Sequence, residues 1–251
     1  MRKNLLTDTA ASGANAANPT LCAPPPEQFF MTLRDIGLWV RSAQADAAVA
    51  RHAAGGDVTQ AFEALYRINP DPYGAADPRY RYQARKQGML LSFMPARHYR
   101  HVLDLGCGIG ALCRALAPYA ETITGIDVAA AAVRRATSLS QGHVNLVFRQ
   151  GDIRSFDPAG RRYDLIVVAD VLYYAVPPDD EFALEAIAHR IAACTEPGGL
   201  VLLADHYFFG FDTASRRTRA IHNAFRRTPG LQLHTERRRC FYLATLLQRS
   251  A

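Results

Sequence analysis

The sequence alternates short apolar runs with stretches of helical periodicity from residue 101 to residue 205. The apolar runs predict strands at 101–105, 122–127, 145–151, 163–170 and 199–205, and the stretches between them predict helices at 110–118, 129–140 and 180–194. Strands and helices in strict succession are typical of a parallel sheet that is covered on both faces. Two further runs, 231–239 and 240–249, have no helix between them and predict an antiparallel hairpin at the sheet edge. We therefore expect an α/β, doubly wound fold.

The chain before the first strand has a different composition. Residues 1–28 are rich in Ala, Asn, Thr and Pro, which predicts a flexible N-terminal tail. Apolar residues at helical spacing follow, and Asp57 offers an N-cap for a second helix. A turn-rich segment, RINPDPYGAADPRY, leads into a third helix that stops at Pro95. We expect residues 29–98 to form a helical cap or lid and residues 99–251 to form the main, ligand-binding domain.

Hydropathy, cysteine content and charge limit the classes of protein to which the chain can belong. No run of about eighteen apolar residues is present and the N-terminus lacks the apolar stretch of an export signal, so we expect no membrane segment. The five cysteines form no C-x-x-C pair and lie near no histidine at metal-ligand spacing, which predicts no metal site and a reducing, cytoplasmic location. The net charge of +6 includes many arginines near the C-terminus, which either attract an acidic partner or cover a solvated helix face and a strand edge.

A glycine loop follows the first predicted strand of the main domain. Gly106, Gly108 and Gly110 allow a tight turn, and the helix after them offers unpaired N–H groups to a ligand. Gly106, Gly108 and Ala111 also satisfy the dinucleotide pattern of an NAD enzyme. Asp104 decides between the ligands, because a carboxylate beside the loop repels a diphosphate and attracts a sulfonium or an ammonium. S-adenosylmethionine (SAM) carries both of these cations.

Three further carboxylates end successive strands, at the edge where ligands of open α/β sheets bind. Asp127 lies about twenty residues beyond the loop, where it can accept hydrogen bonds from ribose hydroxyls. Asp152 can accept from the adenine amino group, with Ile153 packed on the ring, and Asp170 borders the reaction centre. Each of these residues could instead be a helix N-cap. Four carboxylates in register favour the ligand-binding interpretation.

The motifs VLDLGCGIG, GID, GDI, YDLIVVADVLYY and PGGLVLLAD, in this order and spacing, resemble those of the class I SAM-dependent methyltransferases. The resemblance covers about residues 100–250 and implies a Rossmann-like, seven-stranded sheet with a reversed last strand. It also implies SAM as cofactor, with S-adenosylhomocysteine (SAH) as product, and a binding contact at Val128 beside Asp127.

A narrower resemblance is carried by NPDPYG, YRYQARKQGMLL, RHYRHVLDLGCGIGAL and DVLYY. These segments resemble the NodS-type branch, whose namesake N-methylates an amino sugar. The likeness implies that the segment from Tyr73 to Lys86 lies over the cofactor. It further implies that Tyr82, Arg85 or Lys86 contacts the methionine carboxylate, although the same residues would also suit an ordinary amphipathic helix.

The residues after the fourth and fifth strands are the candidates for catalysis. Methyl transfer from a sulfonium needs an oriented acceptor whose lone pair is free. His206 is the leading candidate for a base or orienting group, and Asp170 borders the same region. Tyr173 and Tyr174 should point to opposite sides if the chain is extended there, so that one of them, assigned as Tyr173, reaches the substrate.

Several functions remain open at this level. We expect a small-molecule acceptor, with an amine ahead of an oxygen because of the NodS-like segments. A nucleic acid is disfavoured because ADVLYY lacks the (N/D)-P-P-(Y/F) box of adenine-N6 enzymes. A SAM-binding protein without catalysis is a further alternative. The helical segment before residue 99 could serve as a lid or as a homodimer contact.

Overall fold

The computed structural model describes residues 20–23, 32–53, 57–239 and 241–251. Most of the predicted N-terminal tail, residues 1–28, therefore lies outside the described residues. Within the part that is described, Thr20 forms an isolated antiparallel bridge with Pro95. The N–H of Leu21 donates to the carbonyl of Met94 at 3.1 Å.

Seven strands form one sheet in the order β3-β2-β1-β4-β5-β7-β6. The strands are β1 (Tyr99–Leu105), β2 (Ala120–Asp127), β3 (Leu146–Gln150), β4 (Tyr163–Ala169), β5 (Thr195–His206), β6 (Leu231–Arg239) and β7 (Tyr242–Arg249). Neighbours among β1 to β5 pair in parallel, while β7 is antiparallel to both β5 and β6. The predicted doubly wound, seven-stranded sheet with a reversed C-terminal hairpin is confirmed.

Helices cover both faces of this sheet and precede it in the chain. They are α1 (Asp35–Ala53), α2 (Val58–Ile68), α3 (Arg81–Phe93), α4 (Ala111–Leu116), α5 (Ala130–Leu139), α6 (Leu172–Ala175), α7 (Glu181–Cys194) and α8 (Thr213–Arg227). Successive side chains of a strand point to opposite faces, so alternate residues pack against different helices. Val102 packs in the cluster that contains α3 residues, whereas Leu103 packs with α7 and α8.

Each of the first two helices forms a hydrogen bond to the rest of the domain. The buried carboxylate of Asp35, in the first turn of α1, accepts from the backbone N–H of Tyr82 at 3.0 Å and so joins α1 to the start of α3. On α2, the carboxylate of Glu63 accepts from the N–H of Ala131 at 2.8 Å, in the N-terminal turn of α5, where backbone N–H groups have no partner within the helix. These contacts hold α1 and α2 over the carboxyl ends of the central strands.

Candidate active site

The glycine loop between β1 and α4 has a conformation that favours glycine. Gly106 and Gly108 have φ angles of 76° and 53°, in the left-handed region. A Cβ added to Gly106 would lie 2.6 Å from Cγ2 of Val171, so a side chain is excluded there. The N–H groups of Gly106 and Cys107 both donate to the carbonyl of Ile126, at 2.8 and 3.0 Å, which fixes the loop against β2.

A cavity of about 490 Å³ lies at the carboxyl ends of the strands, beneath α1 and α2. Ten of the predicted residues line it, namely Gly106, Asp127, Val128, Asp152, Ile153, Asp170, Tyr173, Tyr82, Lys86 and His206. An adjoining cavity of about 130 Å³ contains Asp104 and Gly108, and shares Gly106, Lys86 and Asp170 with the first. The structure therefore brings nearly all of the predicted site residues to one place.

Gly110 and Arg85 are not among the residues that line either cavity. Gly110 has a φ of 72° and lies 2.7 Å, measured from an added Cβ, from the ring of Phe148. It is therefore needed for the close packing of α4 on the sheet. Arg85 is near Asp35 and helps to lower the pKa of that carboxyl, although burial opposes the shift. Arg85 therefore belongs to the contact between α1 and α3.

Asp104 and Asp127 are both buried carboxylates, but their surroundings differ. Burial raises the pKa of Asp104 to about 6, and the Cys113 thiol donates to its Oδ2 at 3.1 Å. Asp127 accepts from the backbone N–H groups of Gly108 and Ala129, both at 2.9 Å. Burial raises the pKa of Asp127, and these two hydrogen bonds oppose the rise. Asp127 thus ties the glycine loop to the end of β2 and still has free lone pairs.

Asp152 is held by a neighbouring arginine. Its carboxylate accepts from Nε of Arg154 at 3.0 and 2.8 Å. Although burial opposes the shift, the contact with Arg154 lowers the pKa of Asp152. A ligand amino group at Asp152 would therefore share the carboxylate with Arg154. Ile153, between them in sequence, is buried and forms part of the cavity wall.

The most polar part of the cavity is a cluster of Lys86, Asp170, Tyr173 and His206. The amino group of Lys86 forms an ion pair with Oδ2 of Asp170. Nδ1 of His206 lies 3.3 Å from Oδ1 of Asp170 and 3.2 Å from the hydroxyl of Tyr173. Burial alone would raise the pKa of Asp170, but the charges of Lys86 and His206 lower it below its usual value. Asp170 is thus an anion held between two cationic or donor groups.

The prediction that Tyr173 and Tyr174 point to opposite sides is wrong. Strand β4 ends at Ala169, and the chain turns through Asp170, whose φ is 53°, into the single turn of α6. A helical turn does not alternate its side chains between two faces as a strand does. Both tyrosines consequently line the cavity, with their ring centroids 4.3 Å apart.

Sequence reasoning assigned α1 and α2 to the expected cap at 29–98 but named none of their residues as site residues. Trp39, Ser42 and Asp46 occur at helical spacing and place one face of α1 on the cavity. Tyr66 of α2 reaches the glycine loop, since its hydroxyl lies 3.0 Å from the position of a Cβ on Gly108. The helical spacing of these residues along α1 indicated that they share one face. Nothing in the sequence indicated which elements this face would contact.

The aromatic run after β5 is divided between two environments. Phe208 lines the cavity and stacks on His206 with ring centroids 5.9 Å apart. Phe209 and Phe211 are exposed and stack on each other. Only Phe208 therefore contributes to the cavity.

Metal-ligand clusters and membrane-spanning helices are both absent from the described part of the chain. In that part, no group of three or more His, Cys, Asp or Glu side chains is arranged to hold a metal ion. Among the helices of the described ranges, none has both the length and the hydropathy to span a membrane.

Comparison with protein families gives a match between residues 102–199 and a methyltransferase domain family. Nodulation protein S from Sinorhizobium fredii is 32% identical over 130 residues, which are 51% of this chain and 55% of that protein. A ubiquinone biosynthesis O-methyltransferase from Serratia proteamaculans is 30% identical over 167 residues, 65% of this chain and 57% of that one. A carboxy-S-adenosyl-L-methionine synthase from Chromohalobacter salexigens is 35% identical over 130 residues, 46% and 44% of the two chains. The chain spans about half the length of the curated relatives it matches.

Solved structures give the same fold. The N-methyltransferase NodS from Bradyrhizobium japonicum WM9, in complex with SAH, superposes with a TM-score of 0.64 at 22% identity. The match covers 78% of this chain and 100% of NodS. The DhpI–SAH complex superposes with a TM-score of 0.56 at 20% identity, covering 82% and 97%. The fold of this chain is therefore that of these SAH-bound structures, and residues 102–199 match a methyltransferase domain family.

Proposed function

We propose that the protein transfers a methyl group from SAM to an amine of a small molecule. The observation that carries this proposal is that the cavity of about 490 Å³ has two chemically different sides. Strand ends with Gly106, Asp127 and Ile153 form one side, and the cap residues with His206 form the other. A cavity of this kind suits a cofactor and an acceptor held next to each other.

The residues on the strand side fit SAM. Asp127 is buried and retains lone pairs for the ribose hydroxyls, while Val128 and Ile153 offer apolar surface to adenine. Asp104, from the adjoining cavity, and Lys86 offer opposite charges to the ammonium and the carboxylate of the methionine part. Bound SAM would supply an activated methyl group on its sulfonium.

His206 is proposed as the group that takes the acceptor's proton. Its Nδ1 hydrogen-bonds with the Tyr173 hydroxyl at 3.2 Å and lies 3.3 Å from Oδ1 of Asp170, and we infer that Nδ1 carries the proton. Nε2 would then be an acceptor, and it makes no hydrogen bond within the described residues. A histidine in this tautomer can accept a proton from an amine and return it to water. Asp170 would orient the ring and stabilise the charge that forms.

A nucleic acid acceptor is less well supported than a small molecule. The arginines of α8 and β6 that motivated it are largely engaged within the protein. Arg219 and Arg226 pair with Glu236, and Arg217 donates to the carbonyls at the end of α6. These contacts favour the interpretation of this region as a charged helix face and strand edge.

Methyl transfer to oxygen is the second candidate. One observation favours it: the relative from Serratia proteamaculans is described as an O-methyltransferase and covers 65% of this chain. A phenol or hydroxyl also depends more on a base than an amine does, and His206 could supply one. A cytoplasmic location and a homodimer remain predictions in either case.

An acceptor screen tests the proposed function. The protein is incubated with methyl-labelled SAM and with pairs of acceptors that share a skeleton and differ only in carrying an amine or a hydroxyl. We expect SAH release and labelled product from amines. The His206→Gln variant should form only a trace of this product. Label found only in the hydroxyl compounds would support O-methylation. Absence of both SAM and SAH binding would refute the proposed function.

A further inference from the structure

The cap side of the cavity contains a carboxylate that the proposed chemistry does not use. Asp46 projects from α1 into the cavity, where Oδ1 accepts a hydrogen bond from the Tyr174 hydroxyl at 2.5 Å. The Tyr73 hydroxyl lies 3.4 Å from that of Tyr174 and so adds a second phenol beside Asp46. The Tyr174 phenol therefore holds the carboxylate in place, and Tyr73 in turn contacts Tyr174.

The next feature of Asp46 is its charge environment among the described residues. Over the ranges that the structure describes, it forms no ion pair within 4.0 Å. The cations that border the cavity are engaged elsewhere: Lys86 pairs with Asp170, Arg154 pairs with Asp152, and Arg217 donates to backbone carbonyls. The titratable groups that face Asp46 are His206, Asp170 and the two phenols, so the balance of charge around it is not positive.

Aromatic rings surround the same position. The ring of Phe62 meets that of Tyr174 at 5.1 Å and 82°, and the rings of Tyr173 and Tyr174 lie 4.3 Å apart, tilted by 47°. Trp39 lies two turns before Asp46 on the same face of α1. Asp46 is half-buried, and an ammonium is attracted both by such a carboxylate and by the faces of aromatic rings. A neutral hydroxyl gains little from either.

We propose that Asp46, Tyr73 and Tyr174 form an acceptor subsite that selects molecules with an ammonium group on an apolar skeleton. This inference rests on the proposed function and deepens it, because it states how an amine is chosen over an alcohol of the same shape. Asp46 binds the cation in the ground state, and His206 remains the group that removes the proton before transfer. Asp46 is thus a specificity residue.

The test uses small probes and the fluorescence of Trp39, which is the sole tryptophan of the chain and lines the cavity. Benzylamine, benzyltrimethylammonium and benzyl alcohol are titrated separately into the full-length protein at neutral pH. Because the carboxylate of Asp46 attracts either cation by its charge and the aromatic rings add a cation–π attraction, we expect both cations to bind about tenfold or more tightly than the alcohol. Asp46→Asn should remove this preference and Asp46→Glu should retain part of it.

The matched control is Glu185→Gln, which removes one negative charge from the exposed face of α7, away from the cavity. It should keep the preference of the unmodified protein. Equal affinity for the cations and the alcohol, failure of both cations to bind, or an unchanged preference in a folded Asp46→Asn would each overturn the proposal. If Asp46→Asn does not fold, the affinities of the wild-type protein for the two cations and the alcohol decide whether the proposal stands. SAH is titrated independently: a cation preference without SAH binding would leave the subsite intact and refute the methyl-transfer proposal.

Discussion

The ion pair between Lys86 and Asp170 gives a quantitative prediction. The side chains are 7% and 28% exposed, so both charges are largely removed from water. Lys86→Met keeps the length of the apolar stem and removes the charge. Leaving one charge of a buried pair without its partner costs about 3–5 kcal/mol. Because Asp170 retains His206 and some exposure to solvent, we expect Lys86→Met to lower the free energy of unfolding at neutral pH by ~1–3 kcal/mol.

The pH dependence follows from the pKa of Asp170. In the unmodified protein this pKa is lowered, so the stabilising contribution exists above the unfolded-state value and disappears as the pH falls through the folded-state value. In Lys86→Met, burial should dominate and raise the pKa of Asp170. The deficit of the variant should therefore shrink as the pH falls through and below the ordinary carboxylate range, where Asp170 becomes protonated first in the variant and then in the unmodified protein.

Urea unfolding followed by circular dichroism at neutral and acidic pH measures this difference. The double variant Lys86→Met/Asp170→Asn supplies the control, because it removes both charges and asparagine tolerates the left-handed backbone at this position. It should recover most of the lost stability. A deficit that is the same at both pH values, or no recovery in the double variant, would refute the reasoning.

Four further changes have defined expected outcomes. Gly106→Ala should destabilise the protein by ~1–3 kcal/mol in urea unfolding and weaken SAH binding, because φ is 76° and the added Cβ would lie 2.6 Å from a valine methyl. Asp127→Asn should weaken SAH binding at least ~tenfold in calorimetry, since hydrogen bonds to a charged carboxylate are lost. His206→Gln should lower kcat by about 10² or more while SAH affinity stays nearly constant, and a parallel loss of affinity would assign it a structural role. Thr245→Val should cost ~1–3 kcal/mol in urea unfolding, because it leaves the buried Nδ1 of His222 without its partner at 2.7 Å.

The fold and the strand-end part of the site could be predicted because they depend on local pattern. Apolar runs separated by helices lead to parallel strands, and parallel strands bring their carboxyl ends to one edge. Asp127, Asp152 and Asp170 therefore line one cavity, although they are far apart in the sequence. The glycine loop was predictable for a similar reason, since three glycines in five residues mark a conformation that other residues rarely adopt.

The acceptor side could not be predicted because it depends on contacts between distant segments. Lys86 meets Asp170 across 84 positions, and Tyr174 meets Asp46 across 128. Neither pair is marked by a motif, and the sequence does not determine how α1 crosses the ends of the strands. The error at Tyr173 and Tyr174 has a local cause, since the chain turns at Asp170 into the helical turn of α6 and does not stay extended.

The most direct measurement is a calorimetric titration of the protein with SAH, alongside NAD. Our account predicts micromolar binding of SAH, which Asp127→Asn weakens while the circular dichroism spectrum is unchanged, and no binding of NAD. Binding of NAD without binding of SAH would contradict the role assigned to Asp104 and Asp127, and with it the identification of the cavity as a methyltransferase site.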